Sequence, residues 1–86
     1  MPTISEFFGI VILMYYNDHA PPHFHARYGD FEVLIQISPL GVLKGNFPPR
    51  ALSLVMEWAQ INQNLLLEDW NYATNHKKLH KIPPLR

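Results

Sequence analysis

The alternation of apolar and polar positions divides the chain into a strand-rich first half and a helical second half. Residues 9–16, GIVILMYY, are apolar at both parities: Ile10, Ile12, Met14 and Tyr16 fall on one side, Val11, Leu13 and Tyr15 on the other. A strand covered on both faces fits that pattern. NDHAPP, residues 17–22, ends it, because Asn and Asp favour local turns and each proline removes a backbone donor. HFHARY, residues 23–28, then alternates, with Phe24, Ala26 and Tyr28 on one face and His23, His25 and Arg27 on the other.

Gly29 and Asp30 suit a two-residue turn, with glycine supplying the positive φ, and FEVLIQIS continues as a strand. That turn fixes a register. Tyr28 faces Phe31, Ala26 faces Val33 and Phe24 faces Ile35, forming an apolar surface. On the other surface Arg27 faces Glu32, His25 faces Leu34 and His23 faces Gln36. Arg27 and Glu32 read as a cross-strand ion pair. A turn at residues 39–41, a short strand at 42–44 and a break at Gly45 and Asn46 follow.

Pro48 and Pro49 suit the first turn of a helix, where a missing N–H costs nothing. Leu54, Trp58, Ile61 and Leu65, supported by Ala51 and Val55, make an apolar stripe that shifts phase to Leu66, Trp70 and Ala73. The polar residues at 62–64 sit at the shift and predict a kink or two helices. The expected fold is α+β: an antiparallel sheet of three or four strands, packed on one face by the C-terminal helical segment. Both tryptophans are expected in that core.

The 86 residues, 48% hydrophobic and 16% charged, fit one folded domain spanning 1–86 with a thin core. The absence of cysteine excludes disulfides and thiolate metal sites and agrees with a cytoplasmic location. The apolar run of residues 9–16 is far shorter than the about 20 residues a membrane helix needs, and no basic residue precedes it as in a secretory signal. Residues 1–76 hold all seven acids and three of the bases, a net −4. Lys77, Lys78, Lys81 and Arg86 form a basic tail at 77–86, expected to be flexible and able to touch phosphate or an acidic partner. The zero overall charge lacks the basic footprint of an efficient nucleic-acid binder.

The chemistry is concentrated at residues 17–30, where His19, His23 and His25 lie within seven positions. His23 and His25 are two apart on a strand, so both rings point the same way, and the preceding bend can bring Asp18 or His19 toward them. Two imidazoles and a third donor offer three positions to zinc or another divalent ion, with His19, His23 and His25 the candidate ligands. Without metal, His23 and His25 are candidates for general base and acid in ribonucleolytic cleavage, with Arg27 or the lysine-rich tail holding phosphate. The plainer alternative is a hydrogen-bonded junction between loop and strand, capped by Asp18 and stiffened by Pro21 and Pro22.

The stretches MPTIS, FFGIVI, MYYNDH, PPHFHARYGD, VLKGNFPPRAL and LLLEDW resemble a family of small prokaryotic proteins grouped as domain of unknown function 4160. The resemblance covers nearly the whole chain and is most specific at residues 15–25. The family name assigns no activity, enzymatic or otherwise. The resemblance implies a component of a toxin–antitoxin-like pair, and the histidine-rich face with its aromatic edge is the expected surface for binding a small protein encoded by a neighbouring gene, or RNA. The matching positions are Tyr16, Asn17, Asp18, His19, Pro22, His23, Phe24, His25, Tyr28 and Gly29. Leu13 and Gln36 stand where the family is expected to carry a basic and an acidic residue. The binding candidates are Tyr16, Asn17, Asp18, Arg27, Lys77, Lys78 and Lys81.

Overall fold

The computed structural model describes residues 3–86. Five strands, β1 (Thr3–Phe7), β2 (Ile10–Leu13), β3 (His23–Tyr28), β4 (Phe31–Gln36) and β5 (Gly41–Asn46), are followed by α1 (Pro49–Ile61) and α2 (Gln63–Thr74). The strands pair in chain order as one antiparallel meander. The α+β expectation holds, but the sheet has five strands where three or four were expected. The extra strand is β1. Phe8 and Gly9, at φ +51° and +78°, make a tight hairpin turn that folds it against β2, and only one of these two residues is a glycine that would announce the turn.

The predicted register of β3 and β4 is the observed one at all six pairs, from His23 opposite Gln36 to Tyr28 opposite Phe31. Gly29, at φ +59°, supplies the turn. β5 extends through Gly45 and Asn46, which the sequence reading placed in a break. Gly45 pairs with Val33 at φ +103°, and a Cβ there would collide with the backbone carbonyl of Glu32. Glycine at this position therefore lets the strand continue.

One face of the sheet carries Ile12, Phe24, Ala26, Val33 and Ile35, all buried with the helical residues Val55, Trp58, Ala59, Leu66 and Ala73 in a single core. Trp58 joins the two layers, its ring centroid 5.4 Å from Phe7 and 5.7 Å from Phe24. The helical segment breaks at Asn62 into two helices. Ile61 and Leu65, expected on the apolar stripe, are exposed: α1 buries Ala51, Val55, Trp58 and Ala59, and α2 resumes the buried face at Leu66.

Past α2 the chain lies extended along β1. The amide of Ile82 donates to Ile4 O at 2.8 Å, Lys81 Nζ to Thr3 O at 2.7 Å, and Trp58 Nε1 to Pro83 O at 2.8 Å. The buried Asp69 holds the same segment by accepting the His80 amide at 2.9 Å. No helix among the described residues is long and apolar enough to cross a membrane.

Candidate functional site

Alternation along β3 directs Phe24 and Ala26 to the helices and His23, His25 and Arg27 to the opposite face. Residues 14–22 fold over that face. The Tyr15 ring stands edge-on to His25 at 4.4 Å, and Pro21 O receives the His23 Nδ1 proton at 2.8 Å. The rings of His23 and His25 lie 5.5 Å apart, and Trp70 of α2 closes the far side of His23 at 5.3 Å. Both histidines are therefore largely buried.

Asp18 completes the group. Its Oδ2 lies 2.9 Å from His25 Nε2 and 3.2 Å from His23 Nε2. The remaining ring nitrogens have fixed partners: Nδ1 of His23 faces the Pro21 carbonyl and Nδ1 of His25 faces Glu32 Oε2 at 3.0 Å. A carbonyl and a carboxylate only accept, so both Nδ1 atoms donate outward, and a proton on Nε2 is what lets His25 bond to Asp18 Oδ2 in the absence of a cation. Asp18 Oδ2 and the two Nε2 atoms converge on one point, where a metal cation can take the place of the shared proton.

Glu32 links this group to the sheet surface. Its Oε1 accepts from Arg27 Nε at 3.3 Å, and Arg27 Nη2 donates to the Tyr15 hydroxyl at 3.2 Å. The hydrogen bond from His25, assisted by the Arg27 charge, holds the Glu32 carboxyl below the usual carboxylate range against the opposing effect of burial.

Of the expected ligands His19, His23 and His25, the structure brings together the last two with Asp18. His19 is exposed and outside the group, because the bend that turns Asp18 inward leaves the next side chain facing solvent. Among the binding candidates, Tyr16 packs against the core, Asn17 is exposed, and Arg27 reaches the cluster through Glu32. Lys77 and Lys78 are exposed on the C-terminal segment, and Lys81 is engaged with Thr3. The sequence reading paired Glu32 with Arg27 alone. The signal for its second partner was available, since the register puts Glu32 diagonal to His25 on the same face. A separate groove of ≈ 420 Å³, lined by Phe8, Tyr28, Arg50 and Leu54 among others, shares no residue with the cluster.

Fold and site together define a small α+β domain, a meander with two helices on one face and a histidine–carboxylate cluster on the other. The chain belongs to the family described as domain of unknown function (DUF4160), whose model matches residues 9–71, a span that contains every member of the cluster. No curated protein and no solved structure matches it.

Proposed function

We propose that this protein binds one divalent transition-metal ion, of the zinc class, through Asp18 and the Nε2 atoms of His23 and His25. The observation that carries the reading is the convergence of three donor atoms within 4.8 Å of one another. Ligands about 2.0–2.1 Å from a tetrahedral zinc stand roughly 3.3 Å apart, and the two Asp18–histidine separations of 2.9 and 3.2 Å need little adjustment. Imidazole and carboxylate suit zinc and its first-row neighbours, and both rings already have Nδ1 engaged by an outer oxygen, the arrangement that orients a histidine ligand. The same burial and the same engaged Nδ1 atoms speak against His23 and His25 as a freely exchanging acid–base pair in metal-independent RNA cleavage.

Zinc titration of the untagged protein by calorimetry and by NMR of the imidazole resonances tests the reading. One ion per chain is expected, with affinity reduced more than tenfold by Asp18→Asn and unaffected by His19→Ala. A wild-type protein that gives neither heat nor imidazole shifts overturns it.

A second proposal, action with a small partner protein in a toxin–antitoxin-like pair, draws support from Phe8, Tyr28 and Phe31, exposed at one end of the sheet. Co-expression with the neighbouring gene's product should yield a complex that survives purification. Recovery of the two chains separately rejects it.

A further inference from the structure

We infer, on the basis of the metal-binding reading, that the loaded site is a receptor for a small oxyanion: a carboxylate or phosphate oxygen enters the metal's coordination sphere and a water molecule leaves. Two observations lead there, one from donor count and one from charge.

Among the described residues, the cluster supplies three donors from His, Cys, Asp and Glu and no fourth. A closed structural zinc site has four protein ligands; three leave a position for water or a solute. Solvent reaches the group from the Asp18 side. The Asp18 side chain is 27% exposed, against 8% for His23 and 11% for His25, so the two rings form the floor and the carboxylate stands at the rim.

The charge of the loaded site favours an anion. Asp18 cancels one of the two positive charges of the ion, the imidazoles are neutral ligands, and the charge of Glu32 is matched by Arg27 at 3.3 Å. One positive charge is left facing the open position, in a setting partly withdrawn from water. There an anionic oxygen competes with water on electrostatic grounds as well as by ligation. An uncharged oxygen donor has only ligation.

The test uses the full chain loaded with Co²⁺, whose visible absorption reports its ligands, titrated with acetate, inorganic phosphate and acetamide at constant pH and ionic strength. A saturable change in the Co²⁺ bands with acetate or phosphate, and none with acetamide, is expected. A response to phosphate alone narrows the class to phosphate and still supports the inference. If Co²⁺ binds but its spectrum ignores both anions, or responds equally to acetamide, the oxyanion inference is overturned and the metal reading stands. If the chain takes up no Co²⁺ and no zinc, both are overturned.

Discussion

His25 and Glu32 meet through a 3.0 Å contact between Nδ1 and Oε2 although they are not opposite one another in the sheet. The residue opposite His25 is Leu34, and the residue opposite Glu32 is Arg27. Glu32 therefore serves two neighbours, one directly across and one on the diagonal. That makes it the link between a surface ion pair and the donor cluster.

Replacing Glu32 with Gln should weaken zinc binding by about 10–100-fold, the usual effect of losing a carboxylate that orients a histidine ligand. Calorimetry on wild type and variant measures it, with circular dichroism confirming the fold. Equal affinities would show that His25 is oriented by its packing against Tyr15.

Acid should weaken the fold through the same residue. A carboxyl held below its unfolded value stabilises the native state above that value, and the contribution is lost as pH falls through the folded one, here from about pH 4.3 downward. The Glu32 side chain is 39% exposed, so solvent screening limits the effect to about half a kcal/mol. Urea unfolding at a series of pH values should show a shallower acid loss in Glu32→Gln than in wild type.

Asp69 should act with the opposite sign. Burial raises its carboxyl above the ordinary range, and its Oδ2 is buried without a hydrogen-bond partner while Oδ1 accepts the His80 amide. A raised acid favours the fold while protonated, so this contribution declines as pH rises from about 3.9 through the folded value. Asp69→Asn keeps an acceptor for His80 and should remove that decline. An unchanged pH profile in the variant would falsify the assignment.

Phe24→Ala should cost about 3–5 kcal/mol, since it empties a fully buried position between the sheet and Trp58. Chemical denaturation measures it directly. A loss under 1 kcal/mol would mean that the helices close over the gap by sliding on the sheet.

Gly45→Ala should destabilise by more than about 2 kcal/mol, because the new Cβ meets the Glu32 carbonyl and the backbone conformation is one that L-residues rarely adopt. The damage should spread to the cluster, since β4 must move and it carries Glu32. Reduced zinc affinity in a variant that still folds is the expected accompaniment.

The alternation of HFHARY and the Gly29–Asp30 turn were sufficient to specify the β3–β4 register, the face shared by His23 and His25, and the core role of Phe24, because strand parity and turn length are local properties. The helical second half, its proline start and an interruption near residues 62–64 were legible for the same reason, while the choice between a kink and two separate helices was not. Three matters were settled only by the tertiary structure. β1 joins the sheet through a turn with Phe8 at positive φ, a conformation that the sequence does not signal. The C-terminal segment is held along β1 by hydrogen bonds to Thr3 and Ile4, partners nearly the whole chain away. And Asp18, not His19, faces the two rings, because the direction of a side chain in an irregular bend is fixed by what the bend packs against, which no periodicity in the sequence records.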